Sequence, residues 1–280
     1  MQEKTCSITA KLCAYNRGLY ADSIFNDYLA HELLGKSAFA QMRELVVAND
    51  EKLLLEDLGS VLLSRGAWAE GHLKCFAQGR PQVQYLIMGA GLDTFAWRNR
   101  NPNVRVFEVD HPDTQREKRS RIASLHWSTR GTVTFTEVDF TKDSLSEHLL
   151  KSGFNPFAPT FITVLGVAYY LPFSAFENTI AELSALISGP SRLLFDFPVA
   201  GFKDKSKGRA LADLTGRLGE HMTGGYAIRE VEAMLFEYGW GFYEHLTPEL
   251  INRRFFAGSG AMKAFEGIHL MQASRLKRTI

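Results

Sequence analysis

A short glycine-rich turn and an acidic residue downstream of it are the features of this sequence best suited to chemistry. The turn Gly89-Ala90-Gly91 directly follows an apolar run at 83–88, and Asp110 lies 19 residues beyond Gly91, at the end of another apolar run. A Gly-x-Gly turn after a strand lets the backbone approach a bound nucleoside, and an acidic residue about 20 positions on can accept hydrogen bonds from ribose hydroxyls. The spacing therefore predicts a site for a cofactor that contains a nucleoside.

The residues that follow the turn separate two classes of cofactor. A dinucleotide site uses Gly-x-Gly-x-x-Gly and seats the pyrophosphate on a helix N-terminus, but Thr94 stands where the third glycine would be. The neighbouring carboxylate of Asp93 would also repel a pyrophosphate. S-adenosyl-L-methionine (SAM) has no phosphate and carries a sulfonium and an ammonium group. Charge therefore favours SAM, with S-adenosyl-L-homocysteine (SAH) as its product, over NAD, although an NAD-dependent oxidoreductase remains an alternative.

The elements expected to position this turn alternate between strands and helices. Five apolar runs of strand length occur at 83–88, 104–109, 132–138, 161–165 and 193–197. Helical segments are predicted between them, at 113–124, 144–150 and 174–187, the last with Ser174 and Glu177 at the spacing of a capping box. Alternating strands and helices indicate parallel βαβ units. The predicted fold class is α/β, with a doubly wound, Rossmann-like sheet.

The remaining segments are interpreted as additions to one domain that spans residues 1–280. Residues 1–80 are expected to form a helical cap, and 81–197 the cofactor-binding core. The Gly- and Lys-rich stretch 198–226 is too long for a simple connection, so we expect an insertion or lid over the sheet edge. In the C-terminal part, 227–280, a helix at 229–238 and a strand pair at 242–245 and 267–272 should close the fold.

Composition excludes several functional classes. The formal net charge is +1, which gives no electrostatic reason to expect nucleic acid or an anionic membrane as a partner. The three cysteines, Cys6, Cys13 and Cys75, form no C-x-x-C pair, so neither a structural zinc site nor a disulfide scaffold is expected. No apolar run has the length of a signal peptide core or a membrane span. We expect a cytoplasmic protein with a small-molecule partner, no metal and no membrane association; its oligomeric state is left open.

Two segments resemble one known family closely. The sequences MGAGLDTFAWR at 88–98 and FEVDHPDTQREK at 107–118 are similar to the leucine carboxyl methyltransferase family, in particular to its bacterial branch of tetracenomycin-type polyketide O-methyltransferases. Looser similarity covers most of the chain, including 20–27, 64–68 and 166–172. The resemblance implies a SAM-dependent O-methyltransferase that acts on a carboxylate or hydroxyl oxygen of a small molecule, polyketide-like or another acid.

The resemblance also implies roles for individual residues. Arg65 would hold the carboxylate of SAM, Asp139 and Phe140 would line the adenine pocket, and Tyr170 would face the acceptor as the catalytic residue. His111, directly after the predicted ribose ligand Asp110, is a candidate for stacking near the adenine.

One departure from the family pattern concerns the methionine end of SAM. Leu165 occupies the place of a family glutamate, which leaves the carbonyls of Leu165 and Gly89 to meet the ammonium group. This replacement keeps a non-catalytic SAM-fold binding protein open as an alternative.

Two further expectations concern charged residues. Glu108 alternates with Asp110 on its strand and is interpreted as a structural carboxylate. The basic residues of the following helix are expected to form a solvated face: Arg116, Lys118, Arg119 and Arg121.

Overall fold

The chain forms a seven-stranded sheet with helices on both faces. The computed structural model describes residues 7–48, 52–129, 131–140, 142–258 and 262–276. The strands are β1 (Val83–Met88), β2 (Val104–Asp110), β3 (Val133–Glu137), β4 (Thr160–Val164), β5 (Ser191–Pro198), β6 (Trp240–Leu246) and β7 (Ile268–Arg275). Their order across the sheet is β3-β2-β1-β4-β5-β7-β6. The first five are parallel, and β7 runs antiparallel between β5 and β6.

The helices are numbered in chain order. They are α1 (Ile8–Leu19), α2 (Ala30–Leu34), α3 (Lys36–Ala48), α4 (Lys52–Ala77), α5 (Phe95–Arg98), α6 (Pro112–Leu125), α7 (Leu145–Lys151), α8 (Phe173–Leu186), α9 (Ser206–Arg217), α10 (Ile228–Glu237) and α11 (Pro248–Ile251). Short 3₁₀ turns lie at Ala168–Tyr170 and Phe202–Asp204, and a π-helical turn at Asn252–Phe256. No described helix is long and apolar enough to cross a membrane.

The doubly wound α/β prediction is confirmed. Successive side chains of β1 point to opposite faces, so Leu86 and Met88 join one buried cluster while Tyr85 and Ile87 join the other. The first cluster includes residues of α7, α8 and α10, and the second includes residues of α4 and α5. Because both faces are covered, all six residues of β1 are buried, as expected for a parallel strand in an α/β sheet.

The predicted capping box at the start of α8 is wrong. The helix begins at Phe173, and Pro172 rather than Ser174 occupies the N-cap position. The carbonyl of Pro172 accepts hydrogen bonds from the N–H groups of Ala175 and Phe176, so the first turn begins two residues before the predicted N-cap and includes Ser174. The proline has a φ of −57° and no N–H to satisfy, which suits it to the entry of a helix.

The solvated face predicted for α6 is wrong for Lys118. Its side chain is 1% exposed, and its Nζ lies 2.5 Å from Oε2 of Glu108 on β2, which is fully buried. Arg116 and Arg119 are exposed as expected, whereas Arg121 is half-buried and donates to backbone carbonyls of α2. Gln115, on the same helix, donates its side-chain amide to the carbonyl of Glu108, so this face of α6 lies against the end of β2. Glu108 is therefore a structural carboxylate, as predicted from its place on the strand.

The insertion does not follow a sheet edge. The edge strands are β3 and β6, whereas 198–226 leaves β5 in the interior of the sheet. Val199 forms a parallel bridge with Tyr226, and the N–H of Thr223 donates to the carbonyl of Tyr169, which follows β4. The segment thus lies over the carboxyl ends of the central strands, where α9 also contacts α4.

A buried carboxylate links the N-terminal helices to the turn after β1 through ion pairs and a hydrogen bond. Asp27 is fully buried and pairs with Arg17 at 2.8 Å and with Arg98 at 3.2 Å. Thr94 also donates its hydroxyl to Asp27. Burial alone would raise the pKa of Asp27, but the two guanidinium groups hold it below its ordinary value. Residues 1–6, with Cys6, and residues 49–51 of the predicted cap lie outside the described part.

Candidate functional site

A cavity of about 290 Å³ opens between the carboxyl ends of the parallel strands and the helices above them. We call its two halves the loop side and the cap side. The loop side is lined by Gly89, Ala90, Gly91, Asp93, Asp110, Phe140 and Leu165. The cap side is lined by Ser7, Thr9, Cys13, Tyr170, Leu211, Glu220, Met222 and Ile268.

The glycine turn has a backbone that other residues would strain. Gly89 has a φ of +67°, and a Cβ at this position would lie 2.4 Å from Cγ2 of Val167. Gly91 has a φ of +49°. The N–H groups of Gly89 and Ala90 both donate to the carbonyl of Val109 on β2, which holds the turn against the neighbouring strand. Glycine is therefore required at Gly89 by both conformation and space.

Asp110 ends β2 directly beside this turn. Its Oδ2 accepts the N–H of Gly91 at 2.6 Å, and its Oδ1 accepts the N–H of His111 at 2.7 Å. Burial raises the pKa of Asp110, and the two backbone donors oppose that rise. Each carboxylate oxygen has a second lone pair, so the group can still accept hydrogen bonds from a molecule in the cavity.

One of the three residues predicted to lie at the adenine lines the cavity, and two do not. Phe140 lines the cavity, whereas Asp139 and His111 do not. Asp139 places Oδ2 3.0 Å from Nζ of Lys142, and the His111 ring caps α6 by accepting the N–H of Asp113. The other predicted cofactor residues all line the cavity: Arg65, Gly89, Ala90, Gly91, Asp110 and Leu165. Tyr170 lines its cap side.

The position where a dinucleotide would seat its pyrophosphate is already filled by a protein carboxylate. Oδ1 of Asp93 accepts the N–H of Phe95 at 2.7 Å, at the start of α5. Thr94, in place of a third glycine, is fully buried and tied to Asp27. The helix itself spans four residues, so its dipole is weak. The geometry disfavours a phosphate at this position.

A buried ion pair holds Arg65 against the cavity wall. Nη1 of Arg65 lies 2.6 Å from Oδ2 of Asp196 on β5, which is fully buried. Asp196 also accepts the N–H of Gly166 at 2.6 Å and the hydroxyl of Tyr169 at 2.7 Å. Burial lowers the pKa of Arg65, but attraction to Asp196 more than compensates and raises it above its ordinary value. Sequence reasoning missed Asp196, although it is the single charged residue in the apolar run 193–197.

Another carboxylate reaches the cap side from the insertion. Oε1 of Glu220 accepts the hydroxyl of Ser7 at 2.6 Å, and its Oε2 accepts the hydroxyl of Thr9. Burial raises the pKa of both Cys13 and Tyr170, and the charge of Glu220 adds to each rise. Ser7 and Glu220 are separated by 213 positions, so no local signal in the sequence could have brought them together.

Acidic groups outnumber basic groups on the cavity wall. Four carboxylates line it, from Glu70, Asp93, Asp110 and Glu220, against the guanidinium groups of Arg17 and Arg65. Such a wall attracts a cationic molecule more readily than an anionic one. Within the described residues, no group of three or more His, Cys, Asp or Glu side chains could hold a metal ion.

Comparison with known protein sequences identifies relatives along most of the chain. The model of the leucine carboxyl methyltransferase family matches residues 7–184. The chain is 28% identical over 307 aligned residues to YktD of Bacillus subtilis (strain 168), a protein named as an S-adenosyl-L-methionine-dependent methyltransferase. That alignment covers 98% of this chain and 99% of YktD.

Solved structures share the fold at low sequence identity. A DUF574 family protein from Streptomyces avermitilis MA-4680 has a TM-score of 0.66 at 15% identity, covering 97% of this chain and 98% of that one. Magnesium protoporphyrin IX methyltransferase from Synechocystis PCC 6803, solved with bound SAH, has a TM-score of 0.52 at 13% identity, covering 89% and 98%. These likenesses agree with the Rossmann-like fold predicted from the sequence.

Proposed function

Because the chain belongs to the leucine carboxyl methyltransferase family, we propose that it is an O-methyltransferase acting on a small molecule. Its cofactor is SAM and its chemistry is methyl transfer. The proposed acceptor atom is a carboxylate or hydroxyl oxygen, and the tetracenomycin-type polyketide branch is the proposed subfamily. The segments at 88–98 and 107–118 support that subfamily by their sequence pattern.

The loop side fits the nucleoside part of SAM. We propose that Asp110 accepts hydrogen bonds from the ribose hydroxyls and that the Gly89-Ala90-Gly91 backbone contacts the nucleoside closely. Phe140 is available for the adenine ring, which an aromatic side chain can cover. His111 and Asp139 remain proposed contacts at the outer edge of the adenine, because their side chains stand beside the cavity instead of lining it.

The methionine end of SAM is assigned to the wall formed by α4 and the end of β4. Arg65 is proposed to bind the carboxylate, since its guanidinium is fixed at the wall by Asp196 and keeps further N–H donors. The carbonyls of Leu165 and Gly89 are the proposed partners of the ammonium group. The acidic wall complements the positive charge of the sulfonium and the ammonium.

One observation carries the cofactor assignment: the carboxylate of Asp93 caps α5 at the position that a pyrophosphate needs. A dinucleotide would have to displace this contact and tolerate the negative charge of Asp93. The same charge is favourable for a sulfonium-containing molecule. This contrast supports SAM over NAD on electrostatic grounds alone.

The protein's side chains promote the reaction by positioning the acceptor and the cofactor. When bound, SAM supplies a methyl group activated by its sulfonium. The cap side must hold the acceptor oxygen in line with the breaking C–S bond, and such alignment can supply most of the rate gain. We propose that Tyr170 contacts the acceptor as a hydrogen-bond donor. Burial keeps the pKa of Tyr170 above its ordinary value, so its hydroxyl stays protonated at neutral pH.

The test is release of SAH in the presence of a panel of small carboxylic acids and phenols. We expect turnover with at least one member and a loss of about tenfold or more in kcat/KM for Tyr170→Phe, which removes the proposed donor. SAM binding without release of SAH across the panel would instead support a non-catalytic binding protein. Tyr28→Phe is the matched control, because Tyr28 is exposed and lies outside the cavity.

A further inference from the structure

The carboxylate of Glu220 lines the cap side of the cavity. Its hydrogen-bond donors are Ser7 and Thr9, whose groups are hydroxyls and one backbone N–H. No Lys, Arg or His of the described residues lies within ion-pair distance of it. Its charge acts on both Cys13 and Tyr170, which also line the cap side. Glu220 therefore presents a negative charge where the acceptor must bind.

Both cations that line the cavity, among the residues that the structure describes, are already paired. Arg65 is paired with Asp196 at 2.6 Å, and Arg17 is paired with Asp27 at 2.8 Å. Both aspartates are fully buried, so neither guanidinium brings a net positive charge to the cavity. A carboxylate acceptor would thus be desolvated beside Glu220 with no unpaired side-chain cation among the described residues to offset the repulsion.

The other side chains of the cap side, Leu211, Met222 and Ile268, are apolar. Three more apolar side chains line the cavity with them: Leu58, Val61 and Leu171. They come from α4, the segment after β4, the insertion and β7, so the apolar surface surrounds the carboxylate on several sides. An acceptor that fits here is largely apolar and offers one hydrogen-bond donor to Glu220.

We propose that the acceptor is an uncharged, largely apolar molecule with a hydroxyl group, and that Glu220 accepts the hydroxyl proton during methyl transfer. In this step the acceptor oxygen forms a bond to the methyl carbon. The bond between that carbon and sulfur breaks, and its electron pair stays on sulfur, giving SAH. The O–H bond breaks as well, and the proton passes to the Glu220 carboxylate. The products are a methyl ether, SAH and a protonated Glu220.

This inference rests on the proposed function, so the first arm measures cofactor binding separately. SAH is titrated calorimetrically into the wild type and into Glu220→Gln. We expect both to bind SAH equally, because Glu220 belongs to the cap side. Failure of the wild type to bind SAH would contradict the proposed function. Binding by the wild type with a strong loss in the variant would overturn the assignment of Glu220 to the acceptor.

The second arm uses two probes of matched shape, 2-naphthol and 2-naphthoate, with SAH-saturated protein. We expect the wild type to bind 2-naphthol about tenfold or more tightly than 2-naphthoate, because like charges are costly at a desolvated site. Glu220→Gln should reduce this preference by gaining affinity for 2-naphthoate. A wild type that binds 2-naphthoate as well as or better than 2-naphthol, or that binds neither probe, overturns the proposal.

The third arm tests the proton transfer through the rate of methylation of 2-naphthol. We expect Glu220→Gln to lose about tenfold or more in kcat, the scale of a removed general base. A nitro-substituted naphthol, already ionised, should recover most of the variant's rate because it needs no base. Absence of wild-type turnover, or equal losses with both naphthols, contradicts the proton-accepting role.

Discussion

The two sides of the cavity are built in different ways. The centre of the loop side comes from a short stretch of chain, since Gly89 directly follows β1, Asp110 ends the adjacent parallel strand β2, and Asp110 accepts the N–H of Gly91. The cap side gathers residues from both ends of the chain, and Ser7 meets Glu220 across 213 positions. On the proposed assignment, cofactor recognition at the loop side can remain constant while acceptor recognition at the cap side varies with a few substitutions.

The largest effect is expected at Asp27, whose carboxylate links α1 to α5 through Arg17 and Arg98. We expect Asp27→Asn to lower the free energy of unfolding by about 3 kcal/mol, because it leaves the largely buried Arg17 and Arg98 without their shared carboxylate. Chemical denaturation measures the change. Asp22→Asn, an exposed change in the same segment, is the control and should stay within about 0.5 kcal/mol of the wild type. Equal effects of the two variants would show that the cap is held by its apolar contacts alone.

The second-largest effect is a loss of SAH binding caused by a substitution in the glycine turn of the loop side. Gly89→Ala places a methyl group 2.4 Å from Cγ2 of Val167 and forces a φ of +67° on alanine. Strain of this kind costs about 1–3 kcal/mol, and the clash adds to it, so we expect SAH binding to fall below detection in calorimetry.

Gly71→Ala is the control for this substitution. Gly71 lies inside α4 with nothing near the position of its Cβ. Alanine there should stabilise the protein by about 0.5–1 kcal/mol and leave SAH affinity unchanged. If Gly89→Ala bound SAH like the wild type, the turn would not be in contact with the cofactor.

A third, smaller effect tests the ribose contact. Asp110→Ala removes a carboxylate that would accept hydrogen bonds from the cofactor, worth about 1.5–3 kcal/mol, or a loss of 10-fold to 100-fold in SAH affinity. Glu147→Ala, an exposed acidic change on α7, serves as the matched control. Unchanged SAH affinity in Asp110→Ala would show that Asp110 does not bind the ribose.

The smallest expected effect is a change in the pH dependence of the free energy of unfolding, caused by Glu108 on β2. Burial raises the pKa of Glu108 to about 7, although Lys118 opposes the rise. The folded state then binds more protons than the unfolded state between about pH 4.5 and 7, so the contribution of Glu108 to stability falls as pH rises through this window.

The measurement is the free energy of unfolding of the wild type and of Glu108→Gln between pH 4.5 and 7.5. We expect the wild type to lose at least about 1 kcal/mol relative to the variant as pH rises, since one pKa unit corresponds to 1.36 kcal/mol. A constant difference between the two proteins would show that Glu108 is ionised throughout. Glu147→Gln, on the exposed face of α7, should leave the profile unchanged.

The sequence predicted the loop side far better than the cap side, for a physical reason. Strand periodicity and the spacing between Gly91 and Asp110 are local signals, and parallel strands bring their carboxyl ends to one edge. Asp196 was missed because a single acid in an apolar strand reveals neither its burial nor its partner Arg65. Its three hydrogen bonds depend on α4, the end of β4 and the following turn meeting at one point.

Two further residues, Lys118 and Glu220, were missed because of tertiary packing. Lys118 was expected in solvent because charged residues dominate α6, yet one position of that helix faces β2. Glu220 lies in a polar segment whose fold over the central strands has no periodic signal. Its contact with Ser7 exists only once the insertion and α1 are both in place. Contacts of this kind follow from the assembled fold and cannot be found by spacing.

The measurement that tests the central claim most directly is calorimetric titration of the wild-type protein with SAM, SAH and NAD in parallel. The charge of Asp93 at the start of α5, and the carboxylate of Asp110 beside Gly91, predict that SAM and SAH bind and that NAD does not. Binding of NAD without binding of SAM would contradict the account.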